Sequence, residues 1–259
     1  YHPIDEILSE VRDRVSEGAR EIMLLGQTVN SYHSDGNRGK GTDFADLLQA
    51  VGAVDGLQRV RFISPHPYYM TDRVIETMAE VPEVCEGLHL PVQSGSSKIL
   101  KQMQRNYSRE AYLELARKLR QAMPEGTIST DVIVGFPGES ESDFRETLSL
   151  IEEVQFDFGF VFKYSPRAGT PAAELEGFPE GLIEERHQEC LAAFERVAAK
   201  NRERWVGTVQ DVLIEEEGFG RTRGNVPVAV RGNASIGETV PVLIAPSVKK
   251  TTFEGTVVV

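Results

Sequence analysis

Five short polar stretches, each following an apolar run, hold the side chains that could do chemistry in this chain. They are Gln27 with Asn30, Ser64 with His66, Gln93 with Ser94 and Ser96, Asp131 with Gly135, and Tyr164 with Arg167. Apart from the imidazole of His66, one carboxylate and one guanidinium, the set is made of uncharged hydrogen-bonding groups. Such a set suits a zwitterionic, nucleoside-bearing ligand better than a phosphate, because neither a Gly-Lys-Ser/Thr loop nor a Gly-x-Gly-x-x-Gly fingerprint is present. By spacing alone there is no Ser-His-Asp constellation and no metal-ligating cluster. Each residue also has a plainer reading. His66 between two prolines reads as a turn histidine or a base, Arg167 as a ligand contact or the partner of an acid, and Ser94 and Ser96 as helix caps or ligand contacts.

The elements that position these residues alternate. Residues 4–17 carry Ile4, Ile7, Leu8, Val11 and Val15 at helical spacing, and Glu21–Gly26 follows as a strand. Thr42 is read as the cap of a second helix, Arg59–Ile63 as the next strand, Thr71 as the start of a third helix and Gly87–Val92 as the third strand. Helices are expected over 96–103 and 108–123. The apolar run Val132, Ile133, Val134 breaks at Gly-Phe-Pro-Gly and re-emerges as a helix over 140–154, with Ser140 and Asp143 in capping-box spacing. Within this strand Ser129 and Asp131 interrupt an otherwise apolar pattern, and a carboxylate there needs a partner or a task. Phe158–Tyr164 is the fifth strand, and a helix from about 179 to 205 closes the region. The reading is a parallel β/α architecture with polar loops at the carboxyl ends of its strands, where such folds place their sites. Beyond Val206 come short β-runs (208–214, 226–230, 238–244, 253–259) separated by glycine turns, as in a small antiparallel barrel or sandwich of OB-like size.

Composition is that of an ordinary globular protein, with 40% hydrophobic and 26% charged residues in 259. The formal net charge of −12 argues against a surface coated in nucleic acid, but the excess acid is confined to residues 1–200. Residues 201–259 hold seven Lys/Arg against seven Asp/Glu, so a neutral tail region could touch RNA locally. No apolar run reaches membrane-spanning length, the first residues do not read as a signal peptide, and Cys85 and Cys190 have no local partner. A cytoplasmic location without membrane attachment is expected.

Four loop sequences together resemble the methylthiotransferase branch of the radical S-adenosylmethionine (SAM) enzymes: Leu24-Leu-Gly-Gln-Thr-Val-Asn-Ser-Tyr32, His89-Leu-Pro-Val-Gln-Ser-Gly-Ser96, Ser129-Thr-Asp-Val-Ile-Val-Gly-Phe-Pro-Gly-Glu139 and Tyr164-Ser-Pro-Arg-Ala-Gly-Thr-Pro-Ala172. The resemblance runs through 1–205, and 206–259 resembles the TRAM domain that follows in that family and contacts tRNA. The loop at Gln27 is most similar to the MiaB type, which methylthiolates N6-isopentenyladenosine beside the anticodon. Relatives acting on a ribosomal protein are the alternative, and a non-catalytic RNA-binding module is a third reading.

The resemblance implies a partial parallel (β/α) barrel followed by a small all-β domain, S-adenosylmethionine, a reducing electron donor and two 4Fe-4S clusters. One cluster, held by a C-x3-C-x2-C loop, would cleave S-adenosylmethionine to a deoxyadenosyl radical that activates C2 of the base, and the other would supply sulfur. Carried over by position, Gln27, Asn30, Gln93, Ser94, Asp131 and Arg167, with His66, would line the nucleotide and methionine pocket. Arg221, Arg223, Arg231, Lys249 and Lys250 would meet tRNA phosphates. The departure is that residues 1–259 contain no C-x3-C-x2-C motif, and Cys85 and Cys190 match neither ligand set. The expectation is a carboxy-terminal fragment of an active parent that is inactive by itself and ligates no cluster.

Overall fold

The structure, a computed structural model, describes residues 1–34, 41–246 and 251–258. Residues 249 and 250, named above for phosphate contact, lie outside that set. The first elements are α1 (Ile4–Ser16), β1 (Glu21–Leu24), the short antiparallel pair β2 (His33–Ser34) and β3 (Thr42–Asp43), α2 (Phe44–Gly52), β4 (Arg59–Phe62) and α3 (Asp72–Glu80). Then come β5 (Gly87–His89), α4 (Ser97–Gln102), α5 (Arg109–Ala122), β6 (Thr127–Val134), α6 (Glu141–Val154), β7 (Phe158–Lys163) and α7 (Glu180–Glu203). The five long strand–helix alternations expected from the periodicity are present among the described residues. Thr42 does not cap α2. It pairs with Ser34 in the β2–β3 ladder, and Asp43 is the cap, in a reciprocal capping box with Asp46.

The chain divides into two compact units. One comprises 1–88, 122–127 and 202–259, the other 89–121 and 128–201. In the first, β1 and β4 pair in parallel, Glu21 against Arg59 through Leu24 against Phe62, and Val84 bridges Val60 on the far side of β4. Phe44, Leu48, Val51, Val60, Ile75 and Met78 form the core beneath α2 and α3. The same unit contains a closed barrel of β8 (Val209–Glu216), β9 (Phe219–Thr222), β10 (Pro227–Arg231), β11 (Thr239–Ala245) and β12 (Phe253–Val257), in the order β10-β12-β11-β8-β9. The barrel is not wholly antiparallel, because β10 and β12 run parallel. Its strand β9 was not foreseen, since Phe219-Gly-Arg-Thr is short and carries a glycine where a β-branched residue would mark a strand.

Arg59 and Arg61 of β4 are both buried and point their guanidinium groups at backbone carbonyls of this barrel. Arg59 donates to the carbonyls of Arg221 (2.8 Å) and Asp211 (2.9 Å), and burial lowers its pKa without discharging it. Arg61 donates to Thr222 (2.8 Å) and Arg223 (2.7 Å), while its Nε binds Glu21 at 2.9 Å. Arg223 in turn donates to Glu86 and to the Val84 carbonyl. A buried guanidinium is costly without acceptors, and backbone carbonyls together with Glu21 and Glu86 supply them here.

In the second unit the sheet runs β5-β6-β7, with β6 and β7 parallel and Asp131 opposite Phe160. Helices α4 to α7 cover one face through Ile99, Leu100, Tyr112, Leu119, Phe144, Ile151 and Phe194. A Cβ on Gly159 would fall 2.1 Å from the Phe194 ring, so only glycine lets α7 lie against β7 here. Asp143, near the start of α6, collects Ser96 Oγ (2.7 Å), Lys98 Nζ (2.6 Å) and Ser140 Oγ (2.6 Å). Burial alone would raise this carboxyl. These donors, together with the Ser140 N–H, outweigh burial and hold it well below the usual carboxylate range.

Two stability tests follow. Arg61→Met leaves Glu21 and two carbonyls without their buried partner and is expected to lower unfolding free energy by about 3 kcal/mol in urea titration. Because the Asp143 pKa is depressed in the folded state, its stabilisation is complete above the unfolded carboxyl pKa of about 4 and fades as pH falls through the lower folded value. Lys98 is half exposed, so Lys98→Met should remove no more than about 1 kcal/mol at neutral pH. The gap between variant and wild type should close progressively as the pH is taken below about 4.

Candidate functional site

In the first unit the loops after β1 and β4 are tied by one amide. Asn30 is buried, its Oδ1 accepts from the His66 N–H (2.8 Å) and its Nδ2 donates to the His66 carbonyl (3.0 Å). Both ends of that side chain therefore serve the fold. His66 Nδ1 accepts from the Tyr68 N–H at 3.2 Å, and its ring meets Tyr69 edge-on, with Tyr68 and Tyr69 both exposed. Gln27 is exposed in the turn after β1. Sequence reasoning thus brings Gln27, Asn30 and His66 onto neighbouring loops, with His66 in the turn role.

In the second unit the chain leaving β5 is held by backbone and hydroxyl bonds alike. Tyr112 donates to the Leu90 carbonyl (2.7 Å), and Thr130 Oγ1 donates to the same carbonyl and accepts from the Val92 N–H. Gln93 lies in the left-handed region at φ 71°, donating its N–H to the Asp131 carbonyl and accepting from the Ile133 N–H, both at 2.8 Å. Ser94 is fully buried and accepts from the Ser96 N–H, so its hydroxyl shapes the turn. Ser96 precedes α4 without capping it by side chain, because its hydroxyl is given to Asp143. A Cβ on Gly95 would lie 2.4 Å from the Thr147 backbone, which forces glycine between the two serines.

The face of this sheet away from the helices is open. Along β6 the residues Ile128, Thr130, Val132 and Val134 are buried, while Ser129, Asp131 and Ile133 retain accessible surface. Phe160 and Phe162 on β7 are each about half exposed. On the same face His89 hydrogen-bonds Ser129 Oγ through Nδ1 at 2.9 Å and brings Nε2 to 3.3 Å from Asp131 Oδ1, a close polar contact, with its ring edge-on to Phe160. Serine, histidine and aspartate do meet in space here, although no spacing in the chain announces it. The imidazole sits between the other two. The signal that could have found it is the period-two run Ser129, Asp131 in an apolar strand.

At the carboxyl end of these strands a cleft of about 660 Å³ is lined by Gln93, Gln104, Ile133, Phe162, Tyr164 and Arg167, among others. The Arg167 side chain is exposed and has no carboxylate partner among the described residues. Below, Glu139 accepts from the Gly135 N–H (3.0 Å) and from Arg186 (2.8 Å), fixing the Gly-Phe-Pro-Gly turn. Burial pushes the Glu139 carboxyl up against the pull of those donors.

In the small barrel Arg223 spends its donors on Glu86 and Val84, Arg221 pairs with Glu215 at 3.2 Å and Arg231 with Glu254 at 2.7 Å. Neither cysteine suits a cluster ligand. Cys85 and Cys190 are buried in different units, burial raises both thiols, and that of Cys190 is pushed up to about 12. No group of three or more His, Cys, Asp or Glu side chains among the described residues is arranged to hold a metal ion.

Comparison with known proteins agrees with this arrangement. Residues 1–151 match the Radical SAM superfamily and residues 203–258 the TRAM domain. A tRNA-2-methylthio-N(6)-dimethylallyladenosine synthase of Clostridium botulinum (strain Loch Maree / Type A3) is 45% identical over 249 residues, 93% of this chain and 55% of that protein. One of the same name from Corynebacterium urealyticum is 47% identical over 219 residues, 82% of this chain and 40% of that protein. The chain spans about half the length of the curated relatives it matches. Among solved structures, the Escherichia coli coproporphyrinogen III oxidase HemN, a radical SAM enzyme, superposes with a TM-score of 0.54 at 14% identity, over 92% of this chain and 57% of that one, and shows the same fold. With the match covering more than half of its residues over a parallel β/α layout, and a second match to TRAM over the β-barrel, the chain belongs to the radical SAM superfamily.

Proposed function

We propose that this chain is part of a cytoplasmic tRNA methylthiotransferase that installs a 2-methylthio group on N6-isopentenyladenosine next to the anticodon. Residues 1–205 act as the partial radical SAM barrel and 206–259 as the RNA-facing domain. The observation that carries this reading is 45% identity across 93% of the chain to a relative named for that product. Bound S-adenosylmethionine, with an electron from a reducing donor, supplies the radical chemistry of the family. The open face of the β5-β6-β7 sheet suits such a nucleoside. Asp131 is an acceptor for hydroxyl or amine donors, Gln93 offers an amide, and the unpaired Arg167 guanidinium can take a carboxylate. Phe160 and Phe162 supply apolar surface that excludes water. Ser94 acts by shaping the turn beneath Gln93, and Gln27, Asn30 and His66 are proposed nucleoside contacts of the first unit, Asn30 through the His66 backbone.

Arg221 and Arg231 are proposed to meet tRNA phosphates by exchanging their present carboxylate partners for the backbone, and Lys249 and Lys250 are proposed phosphate contacts with them. Arg223 is the member of that set whose donors already hold the β-barrel to Glu86 and Val84. Two buried, high-pKa thiols in separate units do not fit a 4Fe-4S cluster, so neither of the family's cluster sites draws a ligand from Cys85 or Cys190 on this reading.

Nucleosides from tRNA of cells lacking the gene should retain isopentenyladenosine and lose its 2-methylthio form by mass spectrometry. An unchanged tRNA profile with a lost modification on a ribosomal protein would reject the tRNA assignment. Anaerobic reconstitution of these 259 residues should yield iron and sulfide far below one 4Fe-4S cluster per chain, and a stoichiometric cluster would overturn the ligand reading.

A further inference from the structure

His89 was absent from the sequence-based pocket, yet its two ring nitrogens are both engaged on the open sheet face. The Ser129 and Asp131 side chains project from alternate positions of one strand, and the imidazole of the adjacent strand spans them. Asp131 uses one carboxylate oxygen for this contact, and among the described residues its other oxygen has no partner. About a quarter of the Asp131 side chain is accessible, and its cross-strand neighbour is the exposed Phe160.

With both nitrogens committed inside the protein, the imidazole has none left to offer a ligand directly. What it can do is hold Asp131. A carboxylate on an open sheet face otherwise samples several rotamers, and fixing one removes that freedom before a ligand arrives. We propose that His89 is a positioning residue. Anchored through Nδ1 to Ser129, it fixes Asp131 through Nε2, so that the second carboxylate oxygen is set to accept a hydrogen bond from a hydroxyl or amine of the nucleoside ligand. This rests on the nucleoside reading given above and assigns a role that the reading does not contain. Phe160 meets the imidazole edge-on and limits the ring's movement on the sheet face.

The test uses the full 259-residue chain with 5′-deoxyadenosine as the probe, which needs neither a cluster nor a sulfonium centre. Binding is followed by NMR titration, and the tautomer of His89 by imidazole ¹⁵N shifts. Asp131→Asn and His89→Phe are each expected to weaken binding about tenfold, the size of losing an oriented charge-assisted hydrogen bond. The His89→Phe/Asp131→Asn double variant should be no weaker than Asp131→Asn alone. His89→Gln keeps an N–H for Asp131 and should restore binding to within about twofold, whereas phenylalanine keeps the ring volume and should not. That contrast separates positioning from packing. Ser129→Ala, a milder change, should show an intermediate loss if the larger substitutions disturb folding. Binding by His89→Phe equal to wild type, or strictly multiplicative losses in the double variant, would overturn the proposal while leaving the nucleoside reading in place. Absence of binding by the wild type would overturn the nucleoside reading itself. The ¹⁵N spectrum then decides the pairing separately: an Nε2–H tautomer that is lost in Asp131→Asn upholds it, and an unchanged spectrum removes it.

Discussion

The alternation along β6 is the constraint from which the rest of its unit follows. Side chains at even positions from Ile128 to Val134 lie under helices, and those at odd positions from Ser129 to Ile133 face open space. A strand with this pattern must have one face packed and one face free for something else. Even its polar exception obeys the rule. Thr130 sits on the buried face and gives its hydroxyl to Leu90 and Val92, thereby pinning the segment that carries Gln93. Packing on one side and positioning on the other are two consequences of a single period.

The helical side of the sheet is held by precise fits rather than by bulk apolarity alone. Gly159 accommodates Phe194, Gly95 accommodates the backbone at Thr147, and Asp143 gathers donors from two elements. These contacts fix the loops that leave the strand ends, so the polar groups there occupy set places before any ligand is bound. The open side follows a different economy. Its aromatic rings are exposed, its histidine and aspartate are only part-buried, and Arg167 in the cleft has no carboxylate partner among the described residues. The rings of Phe160 and Phe162 are the apolar part of that face, the kind of surface a partner covers.

Much of the layout could be read from the chain. Helical periodicity located every long helix to within a residue or two, and Ser140 with Asp143 marked the start of α6 as the structure has it. The strand-end loops were legible because glycine, proline and serine cluster there. The losses have physical causes. The cap of α2 slipped by one residue because Thr42 and Asp43 are both good caps and the β2–β3 ladder decided between them. Strand β9 was hidden by its brevity and glycine, and the parallel pairing of β10 with β12 depends on closure of the whole barrel. The polar pair Ser129 and Asp131 marked the place, but His89 was not joined to it, because its partners lie forty residues on and are chosen by strand pairing. The arginines Arg59 and Arg61 look like surface charges in a strand and turn out to be buried, since their acceptors come from a segment some 150 residues later.

Those two arginines grip the β-barrel by its peptide oxygens. Asp211, Arg221 and Thr222 contribute carbonyls to the seam, and any amino acid at those places would contribute the same atom. The seam is therefore indifferent to side-chain identity on one flank and exacting on the other. A β-barrel of altered surface could be seated on the same two guanidinium groups without redesign of the joint, whereas exchange of either arginine would unseat every such barrel alike.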